Sequence, residues 1–291
     1  KSWLWENTLT YSKRFKNVHS VNAVMGYTLQ EFNYEDLRGE GQEIPNQDDE
    51  NMWYLGNINN ATAKVGNTAW SSSMMSYLFR LNYSYADRYL ATVSFRADGS
   101  SKFGPNNRWG YFPSVALGWR VKEEGFLKDV EAISNLKIRG SWGKTGNDKI
   151  GNYQYYPVVY TNPGNCDQVI GGVHIPGATT VDISNQDIHW ENTIQTDIGF
   201  EMGLLNNKLN LEFDYYYRLT SDMLLVPTIP GFVGAAAVDT NVGKVRNSGV
   251  DFTIEWRDQL KNNLNYSVRL VGSTISNKVV DINGKKFYGG G

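Results

Sequence analysis

Few residues of this 291-residue chain have the types and spacing that metal binding requires. The loop DLRGEGQEIPNQDDEN (36–51) brings carboxylates together, and crowded oxygen ligands in a flexible loop suit Ca²⁺. The loop lacks the Asp-x-Asp-x-Asp-Gly spacing of a calcium-binding loop, so a solvated acidic loop is the favoured alternative. The three histidines are scattered, and Cys166 has no histidine nearby in sequence to activate its thiol. The sequence therefore predicts neither a metal site nor a cofactor.

Acidic pairs are the residues that come nearest to a catalytic arrangement. Asp197 with Glu201, and Glu212 with Asp214, could imitate the two carboxylates of a glycosidase. Each pair is two or four residues apart, which places both carboxylates on one face of a strand, as polar channel lining would be. No phosphate-binding loop, nucleophile elbow or dinucleotide fingerprint is present in the sequence. We therefore expect that the protein is not an enzyme.

The elements that position these side chains are predicted to be β-strands. Between residues 77 and 85 apolar and aromatic residues occupy the odd positions, and polar residues such as Arg80 and Asn82 occupy the even ones. A period of two places successive side chains on opposite faces of a strand. Ten such segments can be counted, at 3–13, 18–32, 73–86, 88–98, 110–122, 135–145, 194–204, 208–219, 248–257 and 263–276.

The connections between these segments differ in length in a regular way. Short links are predicted at 14–17, 86–88, 205–208 and 258–263, together with a medium link at 122–135 that is predicted to contain one short helix. The remaining connections are long and lie at 33–72, 99–109, 146–193 and 220–247. In an antiparallel sheet all the long loops then leave one end, as in an outer-membrane barrel with short periplasmic turns and long extracellular loops.

The composition leaves two interpretations of the apolar face open, a protein core or a lipid bilayer. A net charge of −2 gives no basic excess that would indicate a nucleic-acid partner. No run of about 18 uninterrupted apolar residues predicts a transmembrane helix, whereas alternation hides a transmembrane strand from such a test. A soluble sandwich would alternate as well.

Aromatic positions favour the bilayer. Tyr89 and Trp119 lie beside short links, and Trp3 and Trp142 lie at the opposite strand ends, as expected for two membrane–water interfaces. We therefore expect Leu81 and its odd-numbered neighbours to face lipid. Their even-numbered neighbours would line a watery lumen.

One run of the sequence is more distinctive than its periodicity. FRADGSSKFGPNNRWGYFPSVALGWRVKEEGFLKDVEAISNLKIRGSWGKTGNDKIGNYQY (95–155) resembles the SusC/RagA family of TonB-linked outer-membrane proteins, and its pieces RADGSSKFGPNNRWGYFPS, GWR, FLKD, ISNLKIRGSWGKTGN and IGNYQY match in order and spacing. WENTIQTDIGFEMGLLNNKLNLEFDYYYRLTSDMLL and NVGKVRNSGVDF continue the resemblance downstream, so that it covers about 74–276.

The resemblance implies an all-β fold, namely an antiparallel transmembrane barrel wall with about ten strands of a plugged barrel of about 22. Residues 1–291 would then be part of the barrel domain, and the plug and the remaining strands would be absent from this chain. The location implied is the outer membrane of a Gram-negative, Bacteroidota-like cell. The partners implied are outer-membrane lipid, a SusD-like surface lipoprotein, and TonB through a plug region absent here.

The function that the resemblance implies is TonB-dependent import of oligosaccharides or other nutrients. A passive porin or a structural barrel in a larger outer-membrane assembly is the alternative. A secreted carbohydrate-binding sandwich is a third possibility, and it predicts a chain that is soluble without detergent.

Three groups of residues are candidate sites. Aromatic rings stack on sugar faces and amides bind hydroxyl groups, so the candidate substrate contacts in the asparagine-rich 33–72 loop are Trp53, Tyr54 and Trp70. The rim motif is interpreted as structural in preference to direct substrate contact, and it comprises Asp98, Gly99, Phe103, Gly104, Asn106, Asn107, Arg108 and Trp109. Apolar residues in a long loop would suit a docked lid, and the candidate contacts with the lipoprotein are Pro230, Gly231 and Phe232.

Overall fold

Strands make up most of the chain in the computed structural model, which describes residues 1–161, 166, 168–180, 184–226, 232, 239–260 and 263–282. Ten long strands form one sheet, and four short ones form two separate pairs. In chain order the strands are β1 (Ser2–Phe15), β2 (His19–Glu40), β3 (Lys64–Tyr85), β4 (Tyr89–Ser100), β5 (Trp109–Arg120), β6 (Ile133–Asn147), β7 (Val159–Tyr160), β8 (Gln168–Ile170), β9 (Val173–Ile175), β10 (Thr179–Thr180), β11 (Glu191–Leu204), β12 (Leu209–Leu225), β13 (Thr240–Gln259) and β14 (Asn265–Asp281).

The large sheet is antiparallel throughout, with the order β1-β2-β3-β4-β5-β6-β11-β12-β13-β14. Each of the ten predicted segments corresponds to one of its strands, which confirms the predicted fold class. The described helical turns are all 3₁₀ and lie at Glu50–Met52, Leu55–Asn57, Asn60–Thr62 and Val121–Glu123. No helix in the part of the chain that the structure describes is long and apolar enough to cross a membrane.

Two of the predicted loops are shorter in the structure than the sequence pattern indicated. The 33–72 loop narrows to residues 41–63, because β2 and β3 stay paired up to Glu40 and Lys64. The 220–247 loop likewise narrows to 226–239, because β12 continues to Leu225 and β13 begins at Thr240. These extensions carry polar residues on both faces, so alternation of hydrophobicity did not mark them.

The prediction of a short helix in the 122–135 link is wrong. The structure has only the 3₁₀ turn Val121–Glu123, followed by hydrogen-bonded turns up to β6. Lys122 accounts for part of this, because its Nζ donates to the carbonyl oxygens of Leu127, Lys128 and Val130 at 3.1, 3.1 and 2.8 Å. Gly125 also lowers the helix propensity of so short a segment.

Strand register keeps one apolar face continuous across the sheet. Leu81 of β3 pairs with Ala23 of β2 and Val93 of β4, all on the same face. Its neighbour Asn82 points to the other face, where it pairs with Asn22 and Thr92. Because a slip of one residue would exchange the two faces, this register is strongly specified by the sequence.

Aromatic rings gather at both ends of the apolar face. At the end with the short links, Tyr89 stacks between Tyr85 and Trp119, with centroid distances of 6.2 and 6.5 Å. Towards the end with the long loops, Tyr77 stacks on Trp109 at 6.0 Å. Tyr77 and Tyr85 are eight residues apart, roughly 26 Å along the strand and about 20 Å along the axis of a barrel with tilted strands. That spacing is close to the height of a lipid-facing band, about 25 Å.

The separation of the two faces predicts unequal costs in folding stability for the same new side chain at adjacent positions. Leu81→Arg should destabilise the barrel by about 2–4 kcal/mol, because it places a charge in the apolar band. Asn82→Arg should cost about 1 kcal/mol, since it loses hydrogen bonds with Asn22 and Thr92 but keeps its charge in water. Denaturant unfolding of the full-length barrel in lipid vesicles measures both variants. Equal costs would contradict the face assignment.

Candidate functional site

An ion-pair network centred on Arg139 occupies the polar face of β6, β11 and β12. Arg139 bonds Glu201, and it also bonds Glu212 and Asp214, each at 2.6 Å. Lys137 joins the network through Glu201 at 3.1 Å. Two cations face three carboxylates, and the side chains are all partly exposed, so this network is solvated rather than a desolvated core pair.

A glycine makes the reach of Arg139 possible. Gly199 lies between Arg139 and Asp214 in the register of β6, β11 and β12. A Cβ atom added at Gly199 would lie 2.0 Å from Asp214 Oδ1 and 2.5 Å from the carbonyl oxygen of Phe213. Because real side chains do not approach so closely, only glycine at this position lets Arg139 reach across β11 to β12.

A second charged group lies on the same face, farther along the sheet. Glu255 of β13 pairs with Arg257 at 2.6 Å and with Arg269 of β14 at 3.3 Å. A concave surface of about 450 Å³ lies between this group and the first network, lined by Glu201 and Glu212 among other residues. The β6–β14 part of the polar face therefore presents closely spaced charges of both signs.

The polar face of β1–β4 carries a neutral ladder of hydrogen bonds. Asn22 donates to Ser12 at 2.5 Å, Asn82 donates to Asn22 at 3.3 Å, and Thr92 donates to Asn82 at 2.9 Å. Amide and hydroxyl groups of this kind can exchange partners with a passing solute that carries donors and acceptors of its own. The arrangement is suited to a watery passage and holds no nucleophile activated by a base.

The long-loop end contains a compact apolar core, here called the rim cluster. Its residues come from the link after β4, from β5, and from both ends of the long link between β6 and β11; they are Phe103, Phe112, Ile150, Tyr155, Ile188 and Trp190. Phe103 and Ile188 have no exposed surface. Trp190 packs against Phe103 and Phe112 at centroid distances of 5.1 and 5.3 Å, and its Nε1 donates to the carbonyl oxygen of Arg108 at 3.1 Å.

The predicted rim motif lies around this cluster, with its residues in different environments. Phe103 is in the cluster, and a Cβ atom added at Gly104 would lie 3.5 Å from the ring of Tyr155. Asp98 is buried in an ion pair with Arg96 at 2.9 Å. Three further members are exposed and one is half-buried; the exposed ones are Asn106, Arg108 and Trp109, and the half-buried one is Asn107. Gly99 lies under the ring of Trp109, where an added Cβ would lie 3.1 Å from the ring.

The predicted substrate contacts do not form one group. Trp53 and Tyr54 are exposed in the 41–63 loop, and Trp53 Nε1 donates to the carbonyl oxygen of Gln47 at 3.1 Å. Trp70 instead belongs to β3 and stacks on Tyr34 of β2 at 5.3 Å, with the ring planes 17° apart. Trp70 occupies an even position of β3, as Arg80 and Asn82 do, so this pair is on the polar face.

The remaining sequence candidates lie in loops. Pro230 and Gly231 fall outside the described residues, and Phe232 is 91% exposed. In the acidic loop, Asp49 accepts hydrogen bonds from the backbone and side chain of Asn51. Within the described ranges, no group of three or more His, Cys, Asp and Glu residues is placed to hold a metal ion. Cys166 is a free, half-buried thiol.

Sequence reasoning missed two sets of residues. It did not single out Lys137 and Arg139, because alternation marks a polar position without naming its partner two strands away. It also missed Ile188 and Trp190, which are far from Phe103 in the chain and reach it only when β11 pairs with β6. The available signal in the sequence was a tryptophan, Trp190, shortly before the predicted strand at 194–204.

Comparison with known proteins identifies this architecture. The family model described as TonB dependent receptor-like, beta-barrel, matches residues 3–289. TonB-dependent receptor P26 of Formosa agariphila is 33% identical over 290 residues, which is 99% of this chain and 28% of that protein. TonB-dependent receptor SusC of Bacteroides thetaiotaomicron is 40% identical over 188 residues, which is 64% of this chain and 19% of that protein. The chain thus spans less than a third of these relatives.

Solved structures agree with the sequence comparison. The RagAB peptide importer in its closed-closed state superposes with a TM-score of 0.83 and 25% identity, covering 96% of this chain and 30% of that one. The siderophore receptor PirA of Pseudomonas aeruginosa, with a TM-score of 0.55 and 11% identity, shares the fold alone.

A ten-stranded antiparallel wall with one lipid-facing and one polar face is the wall of an outer-membrane β-barrel. The chain belongs to the TonB-dependent receptor β-barrel family, in its SusC/RagA branch. The predicted family and outer-membrane location are thereby confirmed. The short links accordingly face the periplasm, and the long loops face the outside of the cell.

The role of Gly199 can be measured with a matched pair of variants. Gly199→Ala should cost about 1–3 kcal/mol, because the backbone of Phe213 must move and Asp214 must leave Arg139. Gly140→Ala, on the neighbouring strand, should be near neutral, since the nearest atom to its new Cβ is 3.7 Å away. Urea unfolding of the full-length protein in vesicles compares the two. Similar midpoints for both variants would refute the role of Gly199 in the network.

Proposed function

We propose that this chain forms part of the wall of an energy-coupled importer that carries polar oligomers, either oligosaccharides or peptides, across the outer membrane. The observation that carries the proposal is the unbroken separation of faces over ten strands, in a chain that matches the TonB-dependent receptor barrel over residues 3–289. The polar face offers hydrogen-bonding groups and charges of both signs, which suit a hydrated, polar cargo rather than an apolar one.

Several properties of the neighbours support import rather than passive diffusion. The two relatives described above are named TonB-dependent receptors, and the RagAB structure is named a peptide importer. Energy coupling through TonB would act on a plug region that belongs to a part of the protein outside residues 1–291. A passive porin remains the competing function, and it makes the opposite prediction about energy.

Uptake by cells tests the two functions directly. Cells expressing the full-length protein as their only transporter of this family should accumulate a labelled oligosaccharide or a labelled peptide, and a protonophore should reduce that uptake to background. A porin would continue to admit the same solute after the proton gradient has collapsed. The cargo that is imported, sugar or peptide, identifies the substrate class, and uptake that survives the protonophore would refute energy coupling.

We propose the stacked pair of Tyr34 and Trp70 as a substrate contact at the mouth of the barrel. Both rings are partly exposed, 46% and 37%, on the polar side of the β2–β3 hairpin where it rises towards the long loops. In the uptake assay, Trp70→Ala should raise the half-saturating concentration roughly fivefold, in line with about 1 kcal/mol for a ring contact. Trp3→Ala, on the lipid side, is the matched control and should leave it unchanged.

We also propose that a SusD-like lipoprotein docks over the long-loop end. Support comes from the family resemblance and from exposed apolar side chains in these loops, among them Trp53, Val169, Ile170 and Phe232. Large exposed apolar side chains are typical of an interaction surface. The rim motif is proposed to be structural, since its Phe103 is wholly buried.

Shortening the 226–239 loop, which contains Pro230 and Gly231, should weaken binding of the lipoprotein while the barrel remains folded. Co-purification from detergent extracts measures the complex, and heat-dependent migration on a gel reports the folded barrel. If recovery of the lipoprotein is undiminished after the 41–63 and 148–190 loops are shortened as well, the lid docks elsewhere or does not exist.

A further inference from the structure

The periplasmic link between β5 and β6, residues 121–132, is tied to the lipid side of the wall by Glu124. Tyr89 Oη donates to Glu124 Oε1 at 2.6 Å, and Trp119 Nε1 donates to the same oxygen at 3.0 Å. Arg88 forms an ion pair with Oε2 at 2.9 Å. These contacts, led by the Tyr89 hydroxyl, lower the pKa of Glu124 and so favour its charged carboxylate.

The position of these partners decides on which side of the wall the link lies. Tyr89 and Trp119 are the stacked rings of the periplasmic aromatic belt and point to the apolar face of β4 and β5. A carboxylate that bonds the polar atoms of both rings must lie beside that face rather than beneath the lumen. Rings of this kind sit at the membrane–water interface with their polar tips towards water. The link therefore runs along the edge of the bilayer.

Internal hydrogen bonds give the link a defined shape. Lys122 Nζ binds three carbonyl oxygens of residues 127–130, and the amides of Leu127 and Lys128 donate to the carbonyl oxygen of Glu124 at 3.0 and 2.8 Å. A segment closed in this way holds its side chains in fixed directions. Phe126, at the bend, is consequently presented outwards by the turn.

The outward side chains of the link are apolar at two positions. Phe126 is 70% exposed and Val130 is 39% exposed, whereas Leu127 is half-buried against the link. A phenylalanine that is held in water by a hydrogen-bonded turn gains free energy when an apolar phase is within reach. The nearest established apolar interface is the lipid contact of Tyr89 and Trp119, with which the link is continuous.

We propose that the 121–132 link is an interfacial anchor, in which Phe126 inserts at the boundary between headgroups and acyl chains of the inner leaflet, assisted by Val130. The link contains two lysines and four carboxylates, so electrostatic attraction to anionic lipid does not drive the contact. The occupant that fits is a zwitterionic phospholipid. The anchor would fix the height of the barrel in the membrane at its periplasmic edge.

Depth measurement by spin labelling tests the anchor in the full-length protein. Phe126→Cys carries a nitroxide label in a background where other cysteines, Cys166 among them, are replaced by serine, and the barrel is placed in phosphatidylcholine vesicles. The label should be relaxed more by oxygen than by a water-soluble nickel chelate, as a label at Leu81→Cys is expected to be. Asp129→Cys, exposed on the same link, is the matched control and should show the reverse. Nickel access at position 126 in a folded barrel would overturn the proposal.

Two further measurements examine how the anchor is held and what it binds. Glu124→Ala should free the link, so that the label at position 126 becomes more mobile and loses depth while the barrel still shows heat-dependent migration. Unchanged depth in this variant would overturn the positioning role of Glu124. Replacing part of the lipid with phosphatidylglycerol should not deepen the label, and a deeper label would overturn the zwitterionic assignment.

Discussion

The requirement that every backbone polar group be paired inside a hydrocarbon phase governs this structure. A strand that crosses lipid has no water to bind its amides and carbonyls, so it must be bonded to a neighbour on each side along its whole length. The eight inner strands of the described sheet, from β2 to β13, have antiparallel neighbours on both sides, and β1 and β14 at its edges have one each. Long strands, a fixed register and the separation of two faces all follow from it. A shift in register would lose no backbone hydrogen bonds, but it would place charges in lipid.

Pairing of the backbone leaves the inner face free to carry charge. Arg139 can bond three carboxylates on two other strands because Gly199 leaves the path open, and because water reaches all four groups. On the outer face, the same network would have a prohibitive free-energy cost, because its charges would lie in hydrocarbon. Between the two aromatic belts, charge of both signs is thus confined to one side of the sheet, and the alternation of the sequence is sufficient to achieve this.

The sequence was a good guide wherever local pattern decides the structure. Alternation at residues 77–85 located β3 and its two faces, and glycine, asparagine and aspartate marked the turns. The strand predicted from alternation ended too early, at residue 32. The part of the β2–β3 hairpin beyond that residue is held by cross-strand contacts such as that of Tyr34 with Trp70. The 122–135 link has helix-forming residues, yet it takes another shape. Lys122 donates to carbonyl oxygens within the link, and Glu124 accepts a hydrogen bond from Tyr89, which lies far away in the chain.

The candidate site was less predictable than the fold, for a physical reason. A polar position in a strand can be read from the sequence, but its ion-pair partner depends on which strands become neighbours. Lys137, Arg139 and Glu201 illustrate this, since they lie on two strands separated in the chain by a link of more than 40 residues. The resemblance to the SusC/RagA family identified the barrel and its membrane without locating this network.

The rim cluster links parts of the mouth that the chain keeps far apart. Phe103, Ile150 and Trp190 come from separate segments and share one small core, which Tyr153 ties to β3 through two hydrogen bonds with the backbone of Ser71. Segments that share a core unfold together, because none can lose its contacts without exposing the others. The segments that share the rim cluster therefore behave as one cooperative unit, whose local opening is all-or-none rather than loop by loop.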